Sequence, residues 1–129
     1  MDKVLKGQVF TPEKLALRMV QISKKFLEKN EVSILDPCCG HGIFAKVIQK
    51  ELIDFNINCI DIDSQFCNET EKFLIQKNIN YAISNSDYLT KTELKNSFDL
   101  IISNPPYVRQ EKIPNSLKSS YQNFFIDEL

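Results

Sequence analysis

Asn104 stands in the stretch SNPPYVRQ, Ser103 to Gln110, directly behind the apolar run FDLII, Phe98 to Ile102. A residue before proline is pushed into extended geometry, and Pro105 and Pro106 each fix their own φ, so the segment forms a stiff bracket. The bracket presents two hydrogen-bond acceptors, the Asn104 side-chain oxygen and the Pro105 carbonyl, with the Tyr107 ring behind them as a flat apolar wall. A flat group that carries an NH2 fits there. A proline turn that only ends a strand is compatible with the same residues.

A second set of candidate groups begins at PCCGHG, Pro37 to Gly42, between the β-rich run VSILD and a helical pattern. Glycines at a strand-to-helix turn, here Gly40 and Gly42, let the backbone approach a ligand, and the amides of the first helical turn point at it. The spacing is not GxGxxG, and no GK[ST] follows to make a phosphate loop. Asp36 beside the loop favours a cation. Asp61, at the tip of the next β-rich run, follows Gly40 at roughly the ~20-residue interval at which an acid takes ribose hydroxyls in nucleotide-binding sheets. A nucleoside with an attached ammonium suits these groups better than a dinucleotide. Behind a third run, SDYL supplies Asp87 to accept from an adenine amino group and Tyr88 to lie against its ring. An acid that ends a strand also serves as a helix N-cap, so the pattern gains its weight from four strand ends carrying such groups in order.

The elements that position these residues alternate. VSILD (Val32 to Asp36), INCID (Ile57 to Asp61), NYAIS (Asn80 to Ser84) and FDLII are short β-rich runs separated by helical stretches, which argues for βαβ units. The runs are apolar on both faces, as in a parallel sheet covered by helices on either side. IFAKVIQKELID places Ile43, Val47, Ile48 and Leu52 on a helical stripe, and Ser64 to Lys77 repeats the pattern with Phe66, Phe73 and Leu74. Thr11 and Pro12 suit an N-cap and first turn for a helix from Glu13 to about Leu27, with Leu15, Met19, Ile22 and Phe26 along its packing side.

The chain has 129 residues, enough for one domain with a modest core. With 43% hydrophobic and 26% charged residues it is ordinary globular material; no apolar run marks a membrane span and no leader marks a signal peptide, so a cytoplasmic location is expected. Sixteen Lys and Arg against seventeen Asp and Glu give a net charge of −1, so no global electrostatic footprint for nucleic acid exists and any grip on DNA must be local or supplied elsewhere. Cys38, Cys39, Cys59 and Cys67 lack paired CxxC spacing, and Cys38 and Cys39 are adjacent, so reduced thiols and no metal site are expected. Cys59 reads as core and His41, with no ligand set around it, as a loop residue.

GQVFTP (Gly7 to Pro12), LDPCCGHGIF (Leu35 to Phe44), IDID (Ile60 to Asp63), SDYL (Ser86 to Leu89) and NPPYV (Asn104 to Val108) together resemble the S-adenosylmethionine-dependent adenine-N6 DNA methyltransferases of restriction-modification systems. NPPYVRQEKI is similar to the combined restriction and modification enzymes of type IIG. The resemblance implies that Thr11 and Asp36 hold the methionine end of S-adenosylmethionine, with Gly40 and Gly42 admitting it and Pro37 and Cys38 shaping the wall. It implies further that Asp61 takes the ribose hydroxyls, that Ile62 and Tyr88 enclose the cofactor adenine, and that Asp87 accepts from its amino group. His41 and Cys38 stand where the family usually has Ser and Ala. The catalytic residues by resemblance are Asn104, Pro105 and Tyr107, which would hold the amine of an adenine flipped out of double-stranded DNA.

The fold so implied is α/β, a Rossmann-like methyltransferase fold with a partial parallel sheet of order 3-2-1-4, flanking helices and an N-terminal helix. Residues 1–30 would form the TP-motif helix segment and residues 31–129 the cofactor-binding half, ending after NPPY. Sheets of the family resemble 3-2-1-4-5-7-6, so FDLII is expected at a bare edge, the aromatic tail with Phe124, Phe125 and Leu129 on an underpacked helix, and the target-recognition domain absent. The chain is then expected to be a truncated reading frame or one part of a split enzyme, completed by a C-terminal polypeptide, with no membrane partner. Glutamine methyltransferases acting on release factors also resemble the NPPY stretch; RNA adenine methyltransferases and a non-catalytic cofactor-binding module are further alternatives. GQVFTP and DPCCG favour the DNA family.

Overall fold

The structure, a computed structural model, describes residues 10–90, 98–105 and 115–116. Four strands, β1 (Val32–Asp36), β2 (Phe55–Asp61), β3 (Asn80–Asn85) and β4 (Leu100–Ile101), form one sheet in the order β3-β2-β1-β4. All three pairings are parallel, with Asp36 opposite Cys59, Ile34 opposite Leu100 and Asp61 opposite Asn85. Parallel neighbours require crossovers. Helix α2 (Ile43–Glu51) joins β1 to β2 and α3 (Ser64–Gln76) joins β2 to β3, while α1 (Glu13–Lys24) precedes the sheet. This is the α/β arrangement that the alternation of β-rich and helical runs anticipates, in the strand order that the resemblance implies.

The core gathers on β1, β2 and α2: Ile34, Ile57, Cys59, Phe44, Val47 and Ile48 are all buried. Their β-branched and aromatic side chains suit a pleated surface covered by a helix. The outer strands differ from expectation. No residue of β3 is fully buried, and β4 is a short edge of the described sheet in which Ile101 is 61% exposed while Ile102, just past its end, is buried. Edge strands lack a neighbour on one side, which is why FDLII is half covered instead of buried.

Helix α1 buries only part of the side its large apolar residues suggest. Ala16 and Val20 are its buried residues and Met19 packs partly buried against the core, whereas Leu15 is 52% exposed and Phe26, just past the helix, 78%. Close packing of two helices favours small side chains at the contact, and α1 lies against α2, with Lys50 Nζ bridging to Glu13 at 2.9 Å on the exposed side. The helix ends at Lys24, short of Leu27. Its N-cap is Pro12 with no side-chain cap, so Thr11 does not cap the helix as its position suggested. Asp63 does cap α3, accepting from the N–H groups of Gln65 and Phe66. No helix of the described residues is long and apolar enough to cross a membrane. The expected terminal helix with Phe124, Phe125 and Leu129 lies outside the described residues.

Candidate active site

The carboxyl ends of the strands carry the candidate residues along one edge of the sheet. Asp87 follows β3, Asp61 ends β2, Asp36 ends β1 and Asn104 follows β4, so strand order alone lines them up in that sequence. In open parallel sheets, ligands collect at this edge, where the strand order reverses between β1 and its two neighbours. A groove of ≈ 470 Å³ between Gln49–Phe55 and Lys77–Asn80 lies at the opposite, amino edge and is remote from all four.

The loop from Pro37 to Gly42 is held from three sides. The Cys39 N–H donates to the Ile60 carbonyl at 2.9 Å and the Gly40 N–H to Asp61 Oδ2 at 2.8 Å. Thr70, fully buried on α3, donates its hydroxyl to the Gly40 carbonyl at 2.9 Å. Both loop glycines are left-handed, Gly40 at φ +54° and Gly42 at φ +84°, and a Cβ on Gly42 would lie 3.0 Å from Thr70 Oγ1. Gly42 is the N-cap of α2 and supplies no side chain, so no side-chain cap covers the first-turn amides of that helix.

Asp61 fastens this loop and its own turn together, since Oδ1 accepts from the Asp63 N–H at 2.9 Å. Each carboxylate oxygen has room for a further hydrogen bond, so these contacts orient the acid without exhausting it. Asn85 donates to the carbonyls of Asp61 and Ile62, both at 3.0 Å, which steadies the backbone that carries the exposed Ile62 side chain. Tyr88 is also exposed at this edge, on a 3-10 turn spanning Tyr88–Thr90. Asp87 accepts from the Leu89 N–H at 3.0 Å and so caps that turn.

Asp36 is completely buried behind the loop. Its Oδ1 accepts from the Cys38 N–H at 3.3 Å, and its Oδ2 has no hydrogen-bond partner among the described residues. Burial pushes its carboxyl up to about 7, opposed by the Cys38 N–H and reinforced by the charge of Asp61. The Cys38 thiol is pushed up to about 11 by its burial and by Asp61 and Asp36, so it is a protonated wall and no nucleophile.

Asn104 is partly buried, and its Nδ2 donates to Thr11 Oγ1 at 2.9 Å. The segment before α1 is thereby drawn onto the end of β4. Phe10 packs on His41 with ring centroids 4.5 Å apart and meets Phe66 edge-on at 5.8 Å. His41 Nδ1 pairs with Glu69 of α3. Sequence reasoning placed His41 in a loop but did not find Phe10, Phe66, Glu69 or Thr70 around it; the signal for Thr70 was its helical phase with Cys67 and Leu74, both buried. Pro105 is exposed, and Pro106, Tyr107 and Val108 lie outside the described residues.

Residues 8–125 match the methyltransferase small domain family. The chain belongs to that family. It is similar to the release factor glutamine methyltransferase of Clostridium botulinum, 32% identical over 113 residues that make up 85% of this chain and 40% of that protein. It is also similar to type II methyltransferase M.HincII of Haemophilus influenzae, 31% identical over 121 residues, 94% of this chain and 21% of the other. An S-adenosylmethionine-dependent methyltransferase of Clostridium acetobutylicum shares the fold, with a TM-score of 0.55 at 18% identity over 79% of this chain and 39% of that one. The chain thus spans less than half the length of these relatives. The cofactor that the resemblance implies is S-adenosylmethionine, on which the Clostridium acetobutylicum protein depends. The site fits it: a buried carboxylate oxygen without a partner among the described residues complements a cationic ligand, and the glycine loop leaves backbone room.

Proposed function

We propose that this methyltransferase domain acts on the exocyclic N6 of adenine in double-stranded DNA, in a restriction-modification system of type IIG character. The observation that carries the reading is the Asn104–Thr11 hydrogen bond, because it joins the TP segment to the NPP bracket beside the glycine loop. S-adenosylmethionine supplies an electrophilic methyl on sulfur. Asp61 would orient the ribose, Ile62 and Tyr88 would enclose the adenine of the cofactor, Asp87 would accept from its amino group, and Asp36 would offer negative charge near the methionine end.

Asn104 and the Pro105 carbonyl accept hydrogen bonds from the target amine, and Tyr107 stacks on its ring. Accepting those bonds favours a pyramidal nitrogen, which concentrates a lone pair otherwise spread into the ring. With S-adenosylmethionine bound, the nitrogen held by Asn104 and the Pro105 carbonyl would receive the methyl as the sulfonium became a neutral thioether, and the acidic methylated nitrogen would give its proton to water. No basic side chain is required, so the contribution of these residues is positioning. A base must leave the stack to reach the site, and a chain of net charge −1 offers little to offset that step. We therefore take the chain as the N-terminal part of a catalytic domain that works with further polypeptide bearing the DNA contacts.

A second reading, transfer to a glutamine amide of a release factor, is favoured by the identity to the Clostridium botulinum protein. A primary amide is also flat and carries an NH2, so the same bracket serves it. The two separate when the chain, together with the polypeptide encoded downstream, receives labelled cofactor with duplex DNA or with a glutamine-bearing release-factor peptide. Label recovered as N6-methyladenine supports the first reading. Label in the peptide alone overturns it in favour of the second.

A further inference from the structure

We infer that Thr70 is a positioning residue for the ligand site: its buried hydroxyl fixes the peptide between Gly40 and His41, so that the His41 N–H faces out of the loop as the donor left for a ligand. This rests on the reading of the loop as the cofactor site and is independent of the methyl acceptor. Thr70 Oγ1 lies 2.9 Å from the Gly40 carbonyl oxygen. A carbonyl only accepts, so the hydroxyl donates and its one proton is committed. Thr70 is itself fully buried on α3, which keeps a ligand from touching it. A threonine inside a helix can turn its hydroxyl onto a carbonyl of its own preceding turn, whereas this one reaches a carbonyl 30 positions away.

The Gly40–His41 peptide is trans, so its C=O and N–H point in opposite directions. Holding the oxygen against α3 therefore turns the N–H away from it. The other N–H groups from Cys38 to Gly42 are taken up within the protein. Asp36 Oδ1 accepts from Cys38 at 3.3 Å, the Ile60 carbonyl from Cys39 at 2.9 Å, Asp61 Oδ2 from Gly40 at 2.8 Å and the Cys39 carbonyl from Gly42 at 2.9 Å. The His41 N–H has no acceptor among the described residues. The bond from Gly42 to Cys39 closes a turn whose first central residue, Gly40, has φ +54° while the second, His41, is not left-handed, the type II′ pattern. Turning the central peptide over gives type I′, with His41 left-handed, a conformation that histidine enters at moderate cost. The backbone alone leaves both orientations within reach, and the Thr70 proton selects one.

The test compares Thr70→Val, which keeps the shape and removes the donor, with Thr70→Ser, which keeps the donor, and with Leu74→Val, which loosens the same buried side of α3 one turn further on. The readouts are the Gly40 carbonyl ¹³C and His41 amide signals of the ligand-free protein, and calorimetric affinity for S-adenosylhomocysteine. In Thr70→Val the carbonyl signal should move upfield, the His41 amide should shift with it, and affinity should fall about tenfold, the scale of one hydrogen bond. Thr70→Ala removes the same donor without a methyl aimed at the carbonyl and should repeat the effect. Thr70→Ser should restore both signals and hold affinity within about twofold. Leu74→Val should lower the urea midpoint and leave signals and affinity as in wild type. Unchanged loop signals in Thr70→Val and Thr70→Ala overturn the inference, as does an equal fall in affinity in Leu74→Val, or a wild-type His41 amide that ignores saturating S-adenosylhomocysteine. A wild-type protein that binds no S-adenosylhomocysteine would defeat the cofactor reading, while the ligand-free signals would still decide whether Thr70 sets the peptide, so the two failures are distinguishable.

Discussion

Asp61 and Gly40 are joined by a 2.8 Å hydrogen bond from the Gly40 N–H to Asp61 Oδ2, so the acid that ends β2 also fixes the loop that ends β1. Truncating it should therefore damage two properties together. Asp61→Ala removes the acceptor of two backbone N–H groups and is expected to lower stability by about 2 kcal/mol and affinity for S-adenosylhomocysteine by at least about tenfold. Urea denaturation and calorimetry measure both, and a variant equal to wild type in each would remove Asp61 from the site.

Asp36 gives a pH prediction with a definite sign. Its carboxyl is raised to about 7 from 3.8, so the folded protein holds that proton more tightly than the unfolded chain does. The burial penalty is absent below about pH 4, grows as pH rises through the window up to about 7, and is complete above it, where it reaches about 4 kcal/mol at most. Asp36→Asn should therefore gain stability relative to wild type between about pH 5 and about pH 8, by about 2 kcal/mol or more. The same substitution should weaken cofactor binding and abolish the proton release that a cation beside a half-protonated acid produces near neutrality. A stability difference that stays constant over that pH range would contradict the assignment.

The two loop glycines should respond unequally to a methyl group. Alanine at Gly40 meets only Phe10 Cε1 at 4.0 Å, so its main burden is the left-handed backbone, about 1 kcal/mol. At Gly42 the added Cβ also falls 3.0 Å from the buried hydroxyl that holds the Gly40 carbonyl, and Gly42→Ala should lose about 2–3 kcal/mol. Equal midpoints in a denaturant series would show that Thr70 yields freely.

On α1, Ala16→Leu should destabilise by about 1–3 kcal/mol because it forces α1 away from α2, whereas Leu15→Ala should stay within about 0.5 kcal/mol. The reverse ranking in thermal melts would restore the face with the large residues as the packing face.

The parallel βαβ units and the acids at the strand ends were legible in the sequence because short β-rich runs alternate with helical stripes, and the strand order followed from the motif resemblance. The packing face of α1 was legible only at Met19. Leu15, Ile22 and Phe26 are larger than Ala16 and Val20, but the separation of two helices is set by the smallest residues at their contact, which apolar periodicity does not weigh. Thr70 sits among Asn68, Glu69 and Glu71, and only its helical phase with Cys67 and Leu74 marks it as buried; its hydroxyl is satisfied by a carbonyl 30 positions away. The Asn104–Thr11 bond had no local signal at all. Each residue belongs to a recognisable motif, but only the closing of β4 beside β1 brings the two together.

The central claim is that Asn104 acts on the acceptor amine and not on the cofactor. Its most direct measurement is the single-turnover rate of transfer of labelled methyl by Asn104→Ala, taken beside its calorimetric affinity for S-adenosylhomocysteine. The account predicts a rate lowered by about a hundredfold or more with affinity unchanged within about twofold. An undiminished rate, or a loss of affinity large enough to explain the lost rate, would contradict it.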